Sequence, residues 1–373
     1  MSAIKSKSSI RPSLTGATLL MALAAPAQAT TFAVTNLVTN NQTLHPALID
    51  DPNLVNAWGI SHSAASPFWV SDNGTGVSTL YRVDPTTNAT TKVALTVTIP
   101  GDGTVTGQVF NGTAGFNADP FLFVSEDGTI SGWRGALGAT AETLQIGSSA
   151  NVYKGTTSAT VAGNQYLYSA NFRTGTIDIL KGAAGAPNLT GTFTDPSLPS
   201  GYAPFNIQLL DGKLYVTYAK QDATGHDEIA GPGNGFVDVF DLQGNFLGRA
   251  GSAGALDAPW GLAIAPTSFG EFAGDLLVGN FGDGTVDAFN LGTHSFVGQL
   301  KGTDGNPLVI DGLWGLNAGN GVGAGSPGKI YFSAGPDDES NGLFGVLTAV
   351  PEPAAITLLG VSFTLLAAIR RRT

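Results

Sequence analysis

The densest run of residues able to do chemistry is 219–235, AKQDATGHDEIAGPGNG, which gathers Lys220, Gln221, Asp222, His226, Asp227, Glu228 and Asn234. An imidazole beside carboxylates and amides can coordinate a cation, move a proton or hydrogen-bond a polar ligand. Stretches of this length without regular structure are often functional. Further aspartates, Asp50, Asp51, Asp102, Asp127, Asp257, Asp283, Asp304 and Asp311, stand in short turns. Together with glycine carbonyls they are the oxygen donors a hard cation such as Ca2+ takes, and they are equally the residues tight turns demand for backbone reasons. No EF-hand spacing or glycine–aspartate nonapeptide array is present, so Ca2+ is the one ion to consider and the metal stays unknown. His45, His62, His226 and His294 are scattered, with no HExxH. The chain has no cysteine, which removes thiol nucleophiles, Cys-based metal sites and disulfides. Residues 248–252 do not form a nucleophile elbow, and GTGVS and GNGVGAG precede no helix that could cap a phosphate. No catalytic residue is assigned, and the balance leans away from an enzyme.

Such a loop needs a frame. Glycine, 51 of 373 residues, is about twice as frequent as usual. Short β-rich runs bounded by Gly, Asn and Asp recur, and no long stretch carries a helical period. The runs repeat. Asn56-Ala57-Trp58-Gly59-Ile60 returns as Ala258-Pro259-Trp260-Gly261-Leu262 and Gly312-Leu313-Trp314-Gly315-Leu316. A diverged copy is Ala203-Pro204-Phe205-Asn206-Ile207, and a fainter one is Asn111-Gly112-Thr113-Ala114-Gly115-Phe116. Apolar strands follow, ending at Ser71, Ser125, Ser169, Thr217, Gly279 and Ser333. Turns such as DNGTG and GDGT, a third strand and in five units a fourth come next. Four strands in about 45–60 residues is the period of a propeller blade. The sixth unit lacks its fourth strand, while residues 32–38 supply a spare one at the start. The expected fold is therefore an all-β, six-bladed β-propeller closed by its N-terminal strand, with a β-sandwich pair as the alternative. Glycine lets inner strands approach closely, and Trp58, Trp260 and Trp314 are expected to pack between blades. Loops joining second and third strands share one face, which puts Asp222, His226 and Asp227 on the rim with the turn aspartates.

The ends differ from the body. Lys5, Lys7 and Arg11 precede an apolar stretch, 14–25, and then Ala27-Gln28-Ala29. These are the three parts of a secretory signal peptide cut after Ala29, with an uncut anchor as the alternative. Residues 354–369 carry no charge and lead into Arg370, Arg371 and Arg372, a short apolar span with its arginines on the inner side. The whole chain has a net charge of −11, and segment 30–350 alone carries 11 Lys and Arg against 27 Asp and Glu, or −16. Such a surface repels nucleic acid and favours cations or basic partners.

Val350-Pro351-Glu352-Pro353, the apolar span and the arginine cluster together resemble the PEP-CTERM sorting signal of Gram-negative bacteria. The resemblance implies processing by an exosortase, membrane attachment through the C-terminal helix beforehand, and export to the envelope or extracellular matrix beside exopolysaccharide and biofilm machinery. The NAWG and APWG units with AGPGNGFVDVFD resemble an uncharacterised family of exported bacterial β-propeller proteins, which carries no established catalytic residues. The organisation expected is a signal peptide over 1–29, the propeller over 30–350 and a sorting segment over 351–373. The function expected is non-catalytic binding or structure, with Lys220, Gln221, Asp222, His226, Asp227 and Asn234 as the ligand loop. The alternative is a metal-dependent propeller hydrolase, lactonase-like, or a lyase.

Overall fold

Alternating small and branched residues between turn-forming Gly, Asn and Asp make each repeat an antiparallel sheet. The computed structural model describes residues 30–350. The signal-peptide region 1–29 and the tail with Pro351, Glu352, Pro353, Arg370, Arg371 and Arg372 lie outside the described residues. Six sheets surround an axis, with inner strands Ala57–Ser61, Val105–Phe110, Tyr153–Val161, Tyr202–Leu210, Pro259–Ile264 and Leu313–Ala318. In blade 1 the order outward is Ala57–Ser61, Phe68–Asp72, Val77–Val83 and Thr90–Thr98, all antiparallel. The fold is an all-β, six-bladed propeller. Among the described residues helix is confined to short 3-10 turns, and no helix is long and apolar enough to cross a membrane.

The ring closes through the first strand. Thr31–Thr39 pairs antiparallel with Leu343–Val350, from Thr31 opposite Val350 to Thr39 opposite Leu343. Phe32, 1% exposed, locks this seam against Phe269 and Phe272, with ring centroids 4.9 and 6.0 Å away.

Two blades depart from the expected strands. Blade 3 has three strands, because 189–194 forms no strand. Gly191 and Phe193 instead donate their amides to Gln243 and Gly244 of blade 4, and Phe193 packs on Tyr168 and Phe240. In blade 2 the inner strand is Val105–Phe110 rather than the stretch after Asn111. Asn111 there serves a turn, its amide donating to the carbonyls of Gly115 and Asp119.

Around the axis the inner strands meet backbone to backbone. Gly59, Gly107, Gly155, Gly261 and Gly315 occupy one level, and a Cβ on Gly107 would stand 2.7 Å from Thr156 N and 2.8 Å from Gly155 Cα. Blade 4 has Asn206 at this level, donating from Nδ2 to the Trp260 carbonyl at 2.8 Å. Preceding these residues are Trp58, Thr106, Lys154, Phe205, Trp260 and Trp314. In every inner strand the pairing register shifts beside this position. Such a bulge frees a side chain from the sheet and turns it toward the axis. Trp58 stacks on Trp314 at 3.6 Å, and Trp260 meets both edge-on. The tryptophans are packing residues, as expected, but they fill the axis rather than the wedges between blades. The odd member of the plug is a lysine.

Candidate functional site

Lys154 stands in blade 3 where three other blades place tryptophan, and it is 1% exposed. Its Nζ lies 5.2 Å from the Trp58 ring centroid and 6.0 Å from that of Phe172. A buried ammonium needs a counter-charge, and Glu126 supplies it with Oε1 2.5 Å away. Glu126 sits in the turn after Phe121–Ser125 of blade 2, and its Oε2 accepts from Asn73 Nδ2 at 3.3 Å. Asn73 Oδ1 in turn accepts from Asn56 Nδ2 at 3.2 Å, and the same Nδ2 lies 2.5 Å from Glu339 Oε2 of blade 6. Asn56 Oδ1 accepts from Trp314 Nε1 at 3.0 Å. The network thus runs from blade 3 through blades 2 and 1 to blade 6.

Blade 4 adds the long loop, which lies between Lys213–Lys220 and Gly235–Phe240. It is a small antiparallel extension: Ile229 N donates to Lys220 O and Asp222 N to Asp227 O, both at 2.8 Å. Asp222 Oδ1 accepts from Thr224 N and His226 N at 3.0 Å, so it shapes the tip. Gln221 Nε2 donates to Phe172 O at 2.5 Å and docks the loop on blade 3. Asn234 accepts from Tyr202 Oη and donates to Ile229 O, which closes the base. Lys220 is exposed at the strand end. His226, Asp227 and Glu228 are the loop residues brought to the axis, Glu228 near enough for its charge to act on Lys154. Asp227 Oδ1 lies 2.7 Å from His226 Nδ1 and 3.6 Å from Lys154 Nζ. One donor atom each from Glu126, His226 and Asp227 lie within 4.8 Å of one another.

This end of the axis is short of positive charge. Glu126, Asp227, Glu228 and Glu339 face one ammonium and one imidazole. Burial, then the neighbouring Glu228 charge, pushes the Glu339 carboxyl up to about 7. Burial also raises Glu228, against the pull of Lys154. For Lys154 burial works against the charge, but the carboxylates of Glu126 and Glu228 outweigh it and hold the ammonium protonated above its ordinary range. A carboxyl raised in the folded state stabilises the fold below its ordinary pKa and loses that contribution as pH climbs through its folded value. Glu339 therefore costs the protein stability between pH 5 and pH 8. Glu339→Gln is expected to remove that part of the slope, on the order of 1 kcal/mol at a half-buried site, as read from urea unfolding at pH 5, 6.5 and 8.

The other turn aspartates are not gathered into one rim site. Asp102, Asp127, Asp283 and Asp304 each accept from a backbone amide two residues on. Asp257 accepts from Gly231 N and Asp311 from Asp337 N. Asp51 is buried with Tyr81 and Lys92. The turn reading accounts for Asp102, Asp127, Asp283 and Asp304, whereas Asp51, Asp257 and Asp311 tie separate segments together; only Glu126, His226 and Asp227 lie close enough to share an ion as a set of three among the described residues. Sequence reasoning missed Lys154, Glu126 and Glu339 as site residues. The available signal was Tyr153-Lys154-Gly155-Thr156, which carries Lys-Gly where Ala57-Trp58-Gly59-Ile60 carries Trp-Gly.

No established family pattern matches the chain. An α-L-arabinofuranosidase from Fusarium graminearum, solved with an iminosugar inhibitor, superimposes with a TM-score of 0.54 at 12% identity, covering 86% of this chain and 98% of that one, a likeness of fold alone. Two relatives are far nearer in sequence. "Uncharacterized protein R648" of Acanthamoeba polyphaga mimivirus is 30% identical over 344 residues, covering 85% of this chain and 80% of its own length. "Uncharacterized protein L690" of the same virus is 32% identical over 346 residues, covering 85% and 86%. These giant-virus relatives overturn the expected membership of an exported bacterial family with a PEP-CTERM signal, and the exosortase, exopolysaccharide and biofilm expectations lose their basis with it. The motifs behind that expectation are short, whereas the viral similarity runs through the propeller: the chain belongs to the family of these mimivirus proteins.

Proposed function

We propose that the protein is a binding propeller whose axial mouth, under the 219–235 loop, takes up a divalent cation through Glu126, His226 and Asp227. The observation that carries this reading is the unbalanced charge around Lys154. Four carboxyl groups converge from three blades on one ammonium, and burial holds two of them above their ordinary range against its pull. Carboxylates with one imidazole suit Ca2+, Mn2+ or Zn2+. The cation has to share Glu126 with the Lys154 ammonium, so its binding competes with the buried pair. Basic residues, an apolar run and Ala27-Gln28-Ala29 at the head support export as the setting.

Thermal melting of purified, EDTA-treated protein tests the reading. Millimolar Ca2+, Mn2+ or Zn2+ is expected to raise Tm by several degrees, since a ligand at about 100 times its Kd stabilises by about 2.7 kcal/mol. Glu126→Gln/Asp227→Asn is expected to abolish the rise. An unchanged Tm with all three ions, or an equal rise in the double variant, refutes it. A second reading, metal-assisted hydrolysis of a lactone or ester, is favoured by Glu339. A carboxyl pushed to about 7 can exchange a proton at neutral pH, and a bound cation would supply Lewis-acid polarisation of a carbonyl. Turnover of lactones that Glu339→Gln eliminates would select it.

A further inference from the structure

Beyond the glycine ring, where the inner strands end, the axis opens into a second cavity of 270 Å3. The tryptophan plug separates it from Lys154, and no charged residue of Asp, Glu, Lys or Arg lines it. All six blades contribute to its wall. Ser61 donates to Gln108 Oε1 at 3.0 Å, and Gln108 Nε2 donates to Gly59 O at 2.8 Å, so this pair is fixed before any ligand arrives. Asn317 Nδ2 donates to Ile60 O at 3.3 Å, and Thr157 Oγ1 accepts from Leu209 N at 3.2 Å. His62 has both ring nitrogens against backbone carbonyls, those of Ser63 and Ala318. Capacity is left over. The half-buried Gln208 amide has no side-chain hydrogen bond among the described residues, and neither has Asn317 Oδ1. The Thr157 hydroxyl keeps its proton for donation. Ile60, Leu316 and Leu209 add apolar surface between these groups.

We infer that this cavity is a binding site for a small neutral polyhydroxylated molecule, of the size and polarity of a monosaccharide. An ion entering would lose its hydration shell and meet no carboxylate, ammonium or guanidinium in return. A purely apolar molecule would leave the amides and hydroxyls unpaired. A neutral polyol satisfies both donors and acceptors while its carbon face meets the aliphatic side chains. This site is separate from the cation reading of the opposite mouth and stands or falls without it.

Saturation-transfer NMR and calorimetry on the full chain, with glucose, arabinose and glycerol against glucuronate and glucosamine, make the test. Neutral sugars are expected to bind with a preference of about tenfold over the charged pair. Gln208→Ala is expected to weaken them by roughly fivefold, the loss of one hydrogen bond. EDTA, which strips any cation from the other mouth, is expected to leave sugar binding unchanged. Gln208 is half-buried and its side chain makes no hydrogen bond among the described residues, so the single variant is expected to keep its fold. No saturation transfer from any neutral sugar, a preference for the charged sugars, or binding indifferent to Gln208→Ala overturns the inference.

Discussion

Lys154→Met is expected to lower stability by about 3–5 kcal/mol, the cost of removing one partner from a buried ion pair. The side chain is 1% exposed and its ammonium is the one lysine charge among Glu126, Asp227, Glu228 and Glu339. Methionine fills similar space and keeps contact with Trp58, so the loss reports charge rather than volume. The effect has a sign in pH. Lys154 lowers the pKa of both Glu228 and Glu339 against the burial that raises them. Without it these carboxyls rise further, and the variant loses more stability than the wild type as pH climbs from 5 to 8. Adding Glu126→Gln is expected to restore part of the loss, a coupling of about 0.5–3 kcal/mol. Urea denaturation of the two single variants and the double variant at both pH values makes the measurement. A Lys154→Met protein within about 0.5 kcal/mol of wild type, at either pH, contradicts a desolvated pair.

Lys154 also shows where sequence legibility ended. Blade count, ring closure and the packing role of Trp58, Trp260 and Trp314 were readable because glycine and tryptophan mark a geometric need that recurs in each repeat. A repeat that answers the need differently becomes invisible. Thr106-Gly107 carries no aromatic, so the blade 2 inner strand hid behind Asn111-Gly112, and Lys154-Gly155 hid the start of the blade 3 strand. The loop at 219–235 stood out by length, yet its residues divide by contacts that composition does not encode. Asp222, Gln221 and Asn234 build the loop, whereas His226, Asp227 and Glu228 reach the axis. Their partners Glu126 and Glu339 lie in turns of other blades, brought near by closure of the ring. Family membership was harder still, since short terminal motifs pointed one way and similarity along the propeller another.

Gly107→Ala is the substitution that asks most directly whether close backbone approach holds the axis together. A Cβ there meets Thr156 N at 2.7 Å, Gly155 Cα at 2.8 Å and Gly155 C at 2.9 Å. All three are main-chain atoms of the neighbouring inner strand, so no side chain can swing aside. Blade 3 has to move or blade 2 has to tilt, and overpacking of this kind costs about 3 kcal/mol. Two controls separate crowding from backbone preference. Gly163→Ala meets nothing within 4 Å but has φ +81°, so it isolates left-handed strain, about 1 kcal/mol. Gly135→Ala meets nothing within 4 Å and has no such φ, and is expected within about 0.5 kcal/mol of wild type. The displaced atoms belong to Gly155 and Thr156, directly after Lys154. Gly107→Ala is therefore also expected to blunt the rise in Tm produced by the divalent cation, while Gly163→Ala leaves that rise intact. If Gly107→Ala melts no lower than Gly163→Ala, the inner strands are not in the close contact from which the site at the axial mouth is built.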